Sequence, residues 1–283
     1  MKSSTAIKVG PIQKEQSITK LNNYKIMLQK ALPIIMFFVV WEIVGRLNQN
    51  LNLINPLFLP PPTLIIQDGW ALAQTGIITS SIIASTLRII AGFGLGCVVA
   101  IACGIIMSRY KLVENWVGPI VNLVGPIPAL ALLPLFIIWF GIGEFPKILL
   151  IAWSTFIPVF IYTLDGLKSV NTTLVRSALS LGANQRQIFT RVVLPSAIPN
   201  ILVGIEVSLG LSFSALVVSE MMGAKTGLGY IIVDARNYFK ISNMFVAIIL
   251  IGLEYSLFAF IIKKIKERIL FWRKGGANGA IES

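Results

Sequence analysis

Six long, uninterrupted apolar runs constrain this chain more than any other feature. They cover residues 31–47, 77–107, 116–140, 146–164, 196–218 and 244–262. A helix crossing the hydrocarbon of a bilayer needs about 20 apolar residues. The runs are continuous, whereas a membrane-spanning β-barrel requires strict alternation. The pattern therefore predicts an all-α polytopic membrane protein with about six transmembrane helices. Composition agrees: 55% of residues are hydrophobic and 13% charged, with a mean hydropathy of +0.81. Soluble domains carry about 25% charged residues. That deficit excludes an ordinary soluble domain and a disordered chain.

The charges then orient the spans. Net charge is +12, from 24 Lys/Arg against 12 Asp/Glu. In a soluble protein such an excess suggests nucleic acid; in an apolar chain it marks cytoplasmic loops. Eighteen of the basic residues fall in 1–30, 108–116, 165–195 and beyond residue 262. Five fall between the remaining spans, and Arg88 lies within the second. Both termini are expected in the cytoplasm, which requires an even number of spans. The organisation read here is a basic tail at 1–30, a transmembrane domain at 31–265 with a polar loop at 165–195, and a C-terminal tail at 266–283. The three prolines of Leu59-Pro60-Pro61-Pro62-Thr63 predict an extended connection after the first span.

Chemistry-bearing motifs are few. There is no histidine, so imidazole bases and HExxH metal sites are excluded. Cys97 and Cys103 do not make a zinc site. No phosphate-cradling G-x-x-x-x-G-K-[ST] loop occurs. Gly92-Phe93-Gly94-Leu95-Gly96 lies within an apolar span, where small residues serve helix packing. No metal, cofactor, nucleic acid or catalytic residue is expected. Arg88, Glu206 and Glu254 cost about 2.5–3.5 kcal/mol each against lipid on insertion scales, so they must face protein or water. They are either parts of a translocation pathway or structural pairs. Pro126, Pro128 and Pro134 predict backbone bends in the third span, tolerable where protein or a cavity satisfies the freed carbonyls. These prolines, with Met221 and Met222 at the end of the fifth span, are candidate pathway residues.

The loop between the fourth and fifth spans is the most patterned polar segment. Asn171 can cap a short helix through Leu174, Ala178 and Leu181. Gly182 supplies a left-handed end, and Asn184 with Gln187 a capping-box restart. Ile188, Phe189, Val192 and Val193 form an apolar stripe, and Leu194-Pro195 is expected to stop that helix. Such a helix–turn–helix suits an anionic lipid surface or a groove in a soluble partner.

Ser177-Ala178-x-x-Leu181-Gly182-Ala183, followed by Val192-x-Leu194-Pro195, resembles the cytoplasmic "EAA" loop of ABC importer permeases. Where that family opens with Glu-Ala, this chain has Arg176-Ser177. The layout from 31 to 270 is similar to permeases of the sulfonate, taurine and nitrate importers. Ser219-Glu220-Met221-Met222-Gly223-Ala224, Gly227-Leu228-Gly229-Tyr230 and Gly125-Pro126-x-Pro128 carry the same resemblance. The resemblance implies an inner-membrane permease working as a homodimer with cytoplasmic ATPases and an extracytoplasmic binding protein. It implies ATPase coupling through Ala178, Leu181, Gly182, Ala183, Ile188, Phe189, Val192, Leu194 and Pro195. The implied solute is a small anion such as a sulfonate, taurine or nitrate, with pyrimidine precursors of thiamine as a further class. The rival class is a stand-alone secondary carrier, which would show inverted repeats and clustered intramembrane ions.

Overall fold

The computed structural model describes residues 32–271, and the basic tail expected at 1–30 lies outside them. The described residues are helical, without strands. The chain divides into two compact units, 1–68 and 69–283. The first holds α1 (Leu32–Leu51), a 3-10 turn (Pro56–Phe58) and the start of α2 (Pro62–Gln74). The second continues through α3 (Ile77–Arg109), α4 (Lys111–Val124), α5 (Ala129–Phe140) and α6 (Glu144–Lys168). After α7 (Thr172–Ser180) and α8 (Gln185–Ile188) come α9 (Leu194–Met221), α10 (Leu228–Asn237) and α11 (Ile241–Ile269).

Five of these helices are long and apolar enough to span a bilayer. A sixth span results if α4 and α5 are taken together, but the two are bent by 102° at residues 125–128. The third apolar run is thus a broken helix. Pro126 and Pro128 remove two backbone donors at the break, while Pro134 sits inside α5 without ending it. The last span outruns the expected domain end at 265, reaching Ile269.

Two prolines behave differently from the expectation set by their neighbours. Pro60 and Pro61 lie outside helix, but Pro62 opens α2. Proline suits a first helical position, where its missing N–H has no intrahelical partner in any case. Glu42 supplies the cap, accepting from the Thr63 amide at 3.1 Å and the Thr63 hydroxyl at 2.8 Å. Pro195 does not stop its helix either. Residues 189–193 form a π-helical turn in which the Leu194 amide bonds the Phe189 carbonyl. The wider turn carries one helix from Gln185 to Met221.

Helix α6 is central, packed between α3 and α9. A small-residue seam permits this. A Cβ on Gly92 would meet Ile151, one on Gly96 the Ala152 carbonyl and Thr155, and one on Gly104 Thr163. On the other side Gly204 lies against Val159 and Tyr162, and Gly166 against Ala197 and Asn200. Without a hydrophobic force between helices in lipid, such close approach supplies the dispersion energy. Leu150, Ile151, Ile89, Leu209 and Leu216 fill the main core. The Thr155 and Ser212 hydroxyls meet within it at 2.7 Å, one donating to the other while the accepting hydroxyl donates to a carbonyl of its own helix.

Gly96→Leu is expected to cost about 1–3 kcal/mol through overpacking, lowering the detergent-solubilised unfolding temperature. Gly94→Leu, whose Cβ would meet open space, should leave it near the parent value.

Candidate functional site: a two-part loop, a charged hub and a bent-helix cavity

The loop after α6 forms as the capping signals predict. The Asn171 side chain accepts from the Thr173 amide at 2.8 Å. Helix α7 ends in a Schellman turn: the Gly182 amide bonds Leu179 at 2.9 Å and the Ala183 amide bonds Ala178 at 3.0 Å. Gly182 has φ +79°, a left-handed conformation that disfavours side chains. Asn184 and Gln187 complete a reciprocal capping box, both bonds at 2.9 Å.

The apolar residues of this loop separate into two sets. Leu181, at the turn, is 88% exposed, and Leu174 and Leu179 are also exposed. Ile188 is 4% exposed. Phe189, Val193 and Leu194 pack on Leu167, Ala197 and Ile201, with Ile101 and Ile105 of α3 alongside. The Arg109 guanidinium stands 5.5 Å from the Phe189 ring centroid, a cation–π distance. Ala178, Ala183, Val192 and Pro195 are half-buried. The stripe Ile188–Val193 is therefore the root of the loop in the membrane domain, and Leu181 is its tip.

At the opposite end of the helices lies a charged hub that the sequence reading left unassembled. Arg88 of α3 is paired with Glu220 of α9 at 2.7 Å, both buried, and with Glu144 of α6 at 2.5 Å. Lys147 joins Glu144 at 3.0 Å. Two cations and two carboxylates balance. Further hydrogen bonds hold the buried Arg88–Glu220 pair. Arg88 donates to the Thr226 carbonyl at 2.7 Å, and Glu220 accepts from the Ser85 hydroxyl at 2.7 Å and the Gly229 amide at 2.8 Å. A Cβ at Gly227, whose φ is +133°, would strike the Glu220 carboxylate. The spacing Glu220…Gly227-x-Gly229 was the available sequence signal: a carboxylate, then glycines that let backbone approach it. Of the other span charges, Glu206 pairs with Lys266 at 2.6 Å and Glu254 accepts from the Thr86 hydroxyl at 2.7 Å. Among the described residues no three His, Cys, Asp or Glu cluster to hold a metal.

The break between α4 and α5 opens a cavity of about 530 Å3 against α6 and α9. Pro126 and Pro128 line it; Pro134, Met221 and Met222 do not. Met222 instead borders a crevice of about 10 Å3 beside Lys147. A second cavity of about 520 Å3 adjoins the first at Ile161 and runs toward the Arg109 end of the helices. Its lining mixes polar Asn115, Asn122 and Asp165 with apolar Met107, Val121 and Leu164. Glu114 and Lys168 are ion-paired across its mouth.

The family described as "Binding-protein-dependent transport system inner membrane component" matches residues 92–270. The chain belongs to this family. It is the permease subunit of an ABC importer. Among its relatives, the putative aliphatic sulfonates transport permease protein SsuC of Bacillus subtilis (strain 168) is 35% identical over 83% of each chain. The taurine transport system permease protein TauC of Escherichia coli (strain K12) is 35% identical over 82% of this chain and 85% of its own. The fold also matches an inward-facing structure of the MetNI methionine ABC transporter, with a TM-score of 0.58 at 20% identity, covering 68% of this chain and 96% of that one.

Removing one member of the hub should leave a buried charge unpaired, at a cost of about 3–5 kcal/mol. Arg88→Met is therefore expected to lose folded protein, measured as monodisperse yield and unfolding temperature. Arg88→Met combined with Glu220→Gln should recover part of that loss.

Proposed function

We propose that this permease works as one of two copies, joined by two cytoplasmic ATPases on the α7 side and an extracytoplasmic binding protein on the other. Both chain ends then lie in the cytoplasm, as the basic-residue distribution favours. The solute is a small anion; the name of the aliphatic sulfonates relative supports this class. It passes along the two adjoining cavities beside α4, α5 and α6. ATP hydrolysis belongs to the partner chain.

The observation that carries this reading is the two-part loop. Leu181 is exposed at a rigidly capped tip, while Ile188 and Phe189 are anchored in the membrane core. An apolar tip entering a groove on an ATPase would move with it. The root touches α3, α6 and α9, so displacement of the tip is delivered to three spans together. Among the proposed coupling residues, Ala178, Leu181, Gly182 and Ala183 form the docking side. Ile188, Phe189, Val192, Leu194 and Pro195 form the transmitting side. The Glu114–Lys168 pair closes the cytoplasmic mouth between α4 and α6.

Reconstituted uptake tests the reading. Transport should require ATP and the separate ATPase; uptake by the purified chain alone on an ion gradient would establish a carrier instead. Gly182→Val forces a β-branched residue into a left-handed conformation at a cost of about 1–2 kcal/mol or more. Transport and ATPase co-purification are expected to fall severalfold while membrane abundance stays near the parent. Ser180→Ala, removing a hydroxyl that bonds only the Arg176 carbonyl, should retain both.

A further inference from the structure

The cavity at the α4–α5 break has a chemical polarity of its own. Its walls are largely apolar, from Trp153, Ile157, Tyr162 and Leu211, and no charged side chain lines it. One point is different. Helix α5 starts at Ala129 behind Pro128, with no side-chain cap. No acceptor is found for the Ala129 and Leu130 amides among the described residues, and both residues line the cavity. A helix start with open amides carries a partial positive charge and attracts anions.

A second observation comes from a different helix. Ser154 of α6 lines the same cavity and is 8% exposed. The buried hydroxyls of Thr155, Thr163, Ser208, Ser212 and Ser219 bond back to carbonyls of their own helices and that of Ser85 bonds Glu220, while Ser81 lies outside this cavity. Among the described residues Ser154 has no hydrogen-bond partner. Its oxygen is open to the cavity, so it is a donor available to an acceptor placed there.

We propose that this cavity is a solute-binding site belonging to the membrane chain itself, built for an organic anion with an apolar body. The anionic head sits on the Ala129 and Leu130 amides and the Ser154 hydroxyl. The body lies against Trp153, Ile157, Tyr162 and Leu211. A volume of about 530 Å3 is that of a small-molecule site. An inorganic oxyanion has no body to fill the walls. A zwitterion brings an ammonium group that nothing acidic in the cavity receives. An aliphatic cation meets the wrong end of the helix dipole. Since the head is held by dipoles and not by a fixed cation, the site releases its occupant readily, as a conducting site must. The inference rests on the permease reading and adds selection by the membrane chain to that of a binding protein.

The test uses the permease assembled with its ATPases in nanodiscs, without a binding protein. The probe is radiolabelled hexane-1-sulfonate. Saturable binding is expected, displaced by unlabelled hexanoate but not by a hundredfold excess of nitrate, taurine or hexyltrimethylammonium. Ser154→Ala should weaken binding about tenfold, the scale of a lost hydrogen bond to a charged group, and Ser154→Thr should restore most of it. Leu211→Trp, at an exposed wall position on another helix, should abolish it by filling the cavity. Variants are compared at equal ATPase co-purification. Absence of saturable binding, displacement by the cation as good as by hexanoate, or parental binding in both Ser154→Ala and Leu211→Trp would overturn the proposal. ATP-dependent uptake with a binding protein, measured in parallel, separates the two readings. If uptake persists without binding to the assembled permease, the site fails and the permease function stands. If binding is found and uptake never depends on ATP, the coupling reading fails and the site stands.

Discussion

Hydrocarbon offers no water to an unpaired amide or carbonyl, and each irregular feature of this chain is placed where that constraint is met. The π-helical turn at 189–193 lets the backbone pass Pro195 with the Leu194 amide still bonded. Arg88 is paired with two carboxylates and Glu206 with Lys266, while among the described residues Glu254 has only the Thr86 hydroxyl on one of its oxygens. The break at residues 125–128, with two prolines, opens onto a cavity and not onto the face of a packed helix. Backbone that could not survive against lipid thus lies against a cavity.

The same three helices are joined at both ends. The hub of Arg88, Glu144 and Glu220 ties α3, α6 and α9 at one end. At the other, Phe189 and its neighbours pack on α3, α6 and α9 again. The glycine seams between these ends bring the backbones close. A push on the loop therefore reaches a unit that resists internal deformation. Helix α4 is the contrast, since it has no buried residue. One side of the cavities is thus firmly packed and the other lightly held.

Much of this was legible in the sequence because it is local. Six apolar runs predicted the five long spans and the broken one, and Asn171, Gly182, Asn184 and Gln187 predicted the caps of the loop. What escaped depends on contacts distant in the chain. Ile188 and Leu181 look alike as apolar residues on a short helical pattern, yet one is buried and the other is exposed at the turn. Arg88 and Glu220 lie 132 positions apart, so no local spacing announces their pair. Pro126, Pro128 and Pro134 are equivalent as sequence, but the chain breaks only where two prolines and Gly125 coincide. Pro62 and Pro195 misled for the same reason: a proline reads as a stop, whereas a first-turn position or a widened turn accommodates it.

The central claim is that the bend at 125–128 lines the solute passage and that the exposed loop tip controls it. Cysteine accessibility tests this most directly. Replacing Cys97 and Cys103, the chain's two cysteines, gives a background for single cysteines at Leu130 and at Ile138 of the same helix. Leu130 lines the cavity, whereas Ile138 is exposed and does not. In the assembled transporter, a membrane-impermeant thiol reagent should label the cysteine at 130, at a rate that changes when the ATPases are trapped closed on nucleotide. It should leave the cysteine at 138 unlabelled. No labelling at 130, or a rate indifferent to the state of the ATPases, would place the bend against lipid and contradict the account.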